Sequence, residues 1–172
     1  MPRNTFLRFT SQAVAAVALG ACSLLTPSAT VPQAGPVPED FQITLERGPC
    51  FGTCPVYSLS VVADGSVSYD GRQFVAVEGS QTVSISQAEV LLLVEAVVEA
   101  DFFDLADTYT VPATDLPSIA TSVTLNGRFK SVYHYGVGCG TDLDTAPPGL
   151  CALEALLEGI PISNGWIVQI TG

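Results

Sequence analysis

Five cysteines and a single histidine are the residues of this chain best equipped for chemistry. Cys50 and Cys54 stand four apart in Cys50-Phe51-Gly52-Thr53-Cys54-Pro55, and His134 arrives from a distant stretch. Two soft thiolates and an imidazole suit Cu(I), and a thiol pair can also carry redox chemistry. The same cysteines have a structural use. With Cys22 assigned to the N-terminal address described below, Cys50, Cys54, Cys139 and Cys151 remain, and four cysteines allow three pairings. Cys50 with Cys54 and Cys139 with Cys151 are each close in sequence, and Gly52 lets the first loop turn sharply. A crossed pairing of the first loop to Cys139 is the rival arrangement.

Other chemistries find less support. No serine sits in a Gly-x-Ser-x-Gly elbow, and the sole histidine cannot be tied to any one hydroxyl. No Gly-x-Gly-x-x-Gly joins a strand to a helix, so no phosphate cradle is signalled. Glu95 and Glu99 are four apart with no histidine beside them and read as a solvated helix face. Asp101, Asp104, Asp107 and Asp115 lack the tight spacing and turn glycine of a calcium loop and read as an acidic surface segment. No catalytic residue is assigned, and enzyme activity is the minority reading. With 6 basic against 17 acidic residues the chain repels phosphate backbones, which argues against a nucleic-acid partner.

Residues 1–21 read as a secretory leader: Arg3 and Arg8 precede the apolar run Ala13–Leu19, which is too short to span a bilayer comfortably. Leu19-Gly20-Ala21-Cys22 resembles the lipobox of bacterial lipoproteins. That resemblance implies that Cys22 is diacylated and becomes the new N-terminus. Ser23 after it implies sorting to the outer membrane, facing the periplasm. Residues 22–40, with Pro27, Pro32, Pro36 and Pro38, read as an extended tether. Export makes disulfides the default for the remaining cysteines.

The elements that must position these residues follow in residues 41–172, read as one α+β domain. Phe41, Ile43 and Leu45 alternate with polar residues as a half-buried strand does. Arg47 to Tyr57 forms a Pro- and Gly-rich knuckle, and a second strand covers Val56 to Val62. Asp64-Gly65 reads as a two-residue hairpin turn, and Asp70-Gly71 repeats the signal before Arg72 to Val77. Gln81 to Ile85 adds a short strand, giving a meander of four or five. Ser86-Gln87-Ala88-Glu89 is a capping box opening a helix with Val90, Leu93, Val94, Val97 and Val98 as its stripe, ending near Asp101.

Asn126-Gly127 is the strongest hairpin signal and joins a strand over Thr121 to Leu125 to Arg128 to Tyr135. A two-residue loop places Ile119 opposite His134 and Thr121 opposite Val132. Asp144 or Thr145 is positioned to cap a second helix with Leu150, Leu153 and Leu157 inward, ended by Gly159 and Pro161. Trp166 to Ile170 reads as an apolar tail docking as an edge strand. An antiparallel meander and a hairpin thus make one sheet packed by two helices.

Two further resemblances bear on function. The Cys50-x-x-x-Cys54-Pro55 spacing looks like the copper motif of cytochrome oxidase assembly factors, which implies a Cu(I) site at Cys50, Cys54 and His134. Those proteins are thioredoxin-like, whereas here hairpins follow the motif. The knuckle, with Asp64-Gly65, Phe102-Phe103, Thr114-Asp115-Leu116-Pro117 and His134-Tyr135, resembles a bacterial family classed as domain of unknown function 6438, over about residues 41–167. That family implies no activity, substrate or cofactor. The expectation is a lipid-anchored cell-envelope protein acting as a non-catalytic binding or structural module without a cofactor. A thiol-based Cu(I) or redox protein is the alternative.

Overall fold

The computed structural model describes residues 35–136, 139, 141 and 145–168. The leader, Cys22, the tether up to residue 34, and Asp142 and Asp144 lie outside them. Residues Ala34–Gly172 form one compact unit.

The chain opens with four antiparallel strands, β1 (Gln42–Arg47), β2 (Val56–Val62), β3 (Ser66–Gln73) and β4 (Gly79–Ser84). Helix α1 (Gln87–Glu99) follows, then a 3-10 turn (Phe102–Asp104) and the short strand β5 (Thr108–Thr110). The hairpin β6 (Ser118–Leu125) and β7 (Arg128–Tyr135) leads to helix α2 (Pro148–Ser163). The seven strands form one sheet in the order β4-β3-β2-β1-β6-β7-β5, antiparallel except where β5 runs parallel to β7. The class is α+β.

Alternation sets the buried face. Ile43 and Leu45 of β1, Tyr57, Leu59 and Val61 of β2, and Ile119, Val123 and Leu125 of β6 are all buried. They join Val90, Leu93 and Val97 of α1 and Leu150, Leu153 and Leu157 of α2 in one hydrophobic cluster. Val94 is partly buried against it, while Val98, expected on the α1 stripe, is 63% exposed.

The expected landmarks fall into two groups. The capping box is present: the Glu89 amide donates to Ser86 Oγ, and the Ser86 amide donates to the Glu89 carboxylate at 2.7 Å. Asn126 and Gly127 have φ of 53° and 73°, and the register pairs Ile119 with His134 and Thr121 with Val132 as the two-residue loop requires.

Four local readings are corrected. The β2–β3 connection is the three residues Ala63-Asp64-Gly65, not a two-residue turn: Gly65 takes φ 88° and Asp64 Oδ1 accepts from the Ser66 amide at 2.7 Å. Asp70-Gly71 is not a turn but the interior of β3. Gly71 is there because a β-carbon would strike the Val77 carbonyl and lie 2.7 Å from the Tyr69 hydroxyl, so its role is close backbone approach. The stretch after Asp101 is not wholly irregular: β5 pairs with β7, though three residues are too few to show alternation. Helix α2 does not stop at Gly159 but continues through Pro161 to Ser163, and its N-cap position is Pro147, which supplies no side-chain cap. Its last turn is closed by Ser163 Oγ and Asn164 Nδ2, both donating to the Ile160 carbonyl at 2.9 Å.

Of the tail expected over Trp166 to Ile170, Trp166 and Ile167 dock without forming a strand, and Gln169 and Ile170 lie outside the described residues. The Trp166 carbonyl accepts from the Ala76 and Val77 amides, and its ring lies 4.9 Å from that of Tyr69.

Candidate functional site

One rung of the sheet sets polar side chains among the apolar residues of the inward face. Tyr57 pairs with Arg47, Arg47 with Ile119, Ile119 with His134, and His134 with Tyr109. Directly opposed residues share a face, so this rung lines up five side chains across β2, β1, β6, β7 and β5. Helix α2 meets the rung at two points one helical turn apart. Glu154 Oε2 lies 2.9 Å from His134 Nδ1, and Glu158 Oε1 lies 2.9 Å from Arg47 Nη1. Residues i and i+4 occupy one helix face, separated by a rise of about 6 Å. His134 and Arg47 are two strand spacings apart, about 10 Å. The long arginine side chain bridges the difference.

At the His134 end the contact is deeply buried, with side-chain exposures of 3% for His134 and 2% for Glu154. Glu154 Oε1 has no hydrogen-bond partner. Cys139 Sγ is 3.8 Å from Glu154 Oε2, and one donor atom from each of His134, Cys139 and Glu154 falls within 4.8 Å of the others. Cys139 and Cys151 form a disulfide with Cα atoms 5.5 Å apart, and Cys151 precedes Glu154 by three residues on α2.

At the Arg47 end the setting is wetter. Burial raises the Glu158 pKa against the lowering influence of Arg47, and Glu154 raises it further. Burial likewise raises the Tyr57 pKa, with the Glu158 charge adding to it. The Tyr57 hydroxyl is within electrostatic reach of Glu158, yet it meets no partner at full hydrogen-bond geometry.

The knuckle closes this end. Cys50 and Cys54 form a disulfide with Cα atoms 5.7 Å apart, and Gly52 between them takes φ 152°. The Gly48 amide donates to the Ser118 carbonyl and the Phe51 amide to the Asp115 carbonyl, tying the loop to the start of β6. Phe51 projects from it, 88% exposed. Between knuckle and α2 lies a cavity of about 520 Å3 whose walls include Arg47, Tyr57, Glu158, Ile162 and both knuckle cysteines.

The candidate residues are therefore distributed as follows. Cys50 and Cys54 are bonded to each other, Cys139 and Cys151 likewise, and His134 faces Glu154 and Cys139 in place of the knuckle thiols. Cys22 lies outside the described residues. Arg47, Glu154 and Glu158 had no assigned role from sequence. Their signal was phase: Arg47 continues the inward series Ile43, Leu45, and Glu154 sits four residues after Leu150 and three before Leu157, on the inward stripe of α2.

These features define an α+β domain with a buried acid–base seam bracketed by two disulfides. The family model described as a domain of unknown function (DUF6438) matches residues 41–161, and the chain belongs to that family. No curated protein matches the chain.

Proposed function

We propose that this chain is a lipid-anchored bacterial cell-envelope protein whose 41–172 domain is a non-catalytic binding or structural module. Acyl chains on Cys22 hold it to the outer membrane on the periplasmic side, and the proline-rich tether of residues 22–40 sets it off the surface. In this reading the two helices close one face of the sheet and the two disulfides brace its ends. The knuckle cavity, with Phe51 at its rim and the Arg47–Glu158 pair in its wall, is the binding face.

The observation that carries this is cysteine use. All four cysteines beyond the lipobox are locally paired at disulfide distance, as expected for a chain matured in an oxidising compartment. The chain is long enough to build a core without such braces, so they are not a rescue for small size. Cell fractionation tests the anchor. The native chain is expected in the membrane fraction and Cys22→Ser in the soluble fraction; Cys22→Ser remaining with the membranes to the native extent overturns the reading.

A further inference from the structure

We infer that His134, Cys139 and Glu154 form a Zn2+ site that is closed by the Cys139–Cys151 disulfide and opened by its reduction. The three donors come from three separate segments: β7, the loop after it, and α2. Their mutual distances of at most 4.8 Å bring together nitrogen, sulfur and carboxylate oxygen. That mixed set suits Zn2+, which takes thiolate, imidazole and carboxylate ligands alike, whereas Cu(I) prefers soft sulfur ligands and gains little from a carboxylate. Zn2+ bonds of about 2.0–2.3 Å in a tetrahedron place ligand atoms roughly 3.3–3.7 Å apart. The Cys139 Sγ to Glu154 Oε2 distance of 3.8 Å is already near that value. The His134 Nδ1 to Glu154 Oε2 contact of 2.9 Å has to open by roughly half an ångström, which a carboxylate rotation supplies.

Glu154 is the independent sign of a ligand. Its side chain is 2% exposed, and its Oε1 accepts no hydrogen bond although a buried carboxylate oxygen left so is costly. A cation at the cluster would satisfy it. With the disulfide intact, the Cys139 sulfur is committed to Cys151 and cannot serve as a thiolate.

Opening requires a dithiol reductant. One of its thiolates attacks the Cys139–Cys151 bond to form a mixed disulfide, and its second thiol resolves this. Two electrons and two protons pass to the protein as two thiols, while the reductant leaves as a cyclic disulfide. Cys139 is exposed, so the bond is within reach of the attack. Zn2+ then takes Cys139 as thiolate, releasing its proton to solvent, together with the neutral His134 imidazole and the Glu154 carboxylate. Water completes a fourth position. Cys151 stays on α2, so its release leaves Glu154 on the same helix.

This inference is independent of the membrane anchor. Its test uses Co2+ as an optical probe on the full chain. Cys151→Ser frees Cys139 while leaving the knuckle disulfide in place. It is expected to take up one Co2+ with a thiolate charge-transfer band that the oxidised native chain lacks. The band is expected to fall at least tenfold in Cys139→Ser/Cys151→Ser. Absence of the band from folded Cys151→Ser, or a band of equal strength in the double variant, overturns the site. Should Cys151→Ser not fold, the native chain reduced with a phosphine decides the matter: Zn2+ is expected to slow alkylation of Cys139 at least tenfold and leave Cys151 unchanged. Equal Cys139 alkylation with and without Zn2+ overturns it.

Discussion

Arg47 and Glu158 hold opposite charges with side chains only 22% and 26% exposed, and their balance depends on pH. Burial raises the Glu158 pKa even though Arg47 opposes the shift, so the folded state binds this proton more tightly than the unfolded chain does. A group of that kind contributes full stability below its unfolded pKa and loses it as pH rises through the folded value. Below that window Glu158 is neutral and has no need of the guanidinium; above it, the ionised carboxylate depends on Arg47. Arg47→Leu is therefore expected to cost on the order of 2 kcal/mol at pH 7.5 and clearly less at pH 4. Urea unfolding at the two pH values checks this, and an equal loss at both would show that Glu158 does not carry the dependence.

At the scale of elements, local hydrogen bonds and close approaches decide the boundaries. Ser86 caps α1 through a two-way exchange with Glu89, and Ser86→Ala is expected to lower stability by about 1 kcal/mol in thermal or urea unfolding. Gly71 sits where β3 passes the Val77 carbonyl, so Gly71→Ala is expected to cost about 1–3 kcal/mol, through overpacking and not through loss of a turn. A circular dichroism melt of Gly71→Ala that superimposes on the native one would remove that explanation.

The same two residues mark what was legible in the sequence. Ser86 and Glu89 interact within one turn of chain, so their spacing was enough to place the start of α1. Asn126-Gly127 likewise fixed the β6–β7 register, because φ above zero at both positions leaves one hairpin geometry. Gly71 was misread because its constraint comes from Val77 and Tyr69 in three dimensions, and Asp-Gly in sequence looks the same in a turn and in a strand. Pro161 was misread as a stop because the bonds that close α2 beyond it come from Ser163 and Asn164. The candidate site was only half visible. His134 was placed in the correct register opposite Ile119, but its partner Glu154 lies 20 residues away on another element.

For the molecule as a whole, the two disulfides stand at either end of one rung, and loop length separates their expected contributions. Cys139 and Cys151 are 12 apart in sequence and Cys50 and Cys54 are 4 apart. In the chain-entropy account the longer loop contributes about 3 kcal/mol and the shorter about 2. Cys139→Ser/Cys151→Ser is accordingly expected to lose more stability in urea than Cys50→Ser/Cys54→Ser, and the reverse order would assign the knuckle a native-state role beyond chain closure. Together with the proposed lipidation of Cys22, this pairing accounts for all five cysteines in the oxidised protein. That allocation is the centre of the account, and mass spectrometry of the mature protein, purified from membranes without reductant, tests it most directly. The expected result is an N-terminal diacylated Cys22 peptide with Cys50–Cys54 and Cys139–Cys151 linked and no free thiol. An unmodified Cys22, or knuckle cysteines that are free or crossed to Cys139, would contradict it.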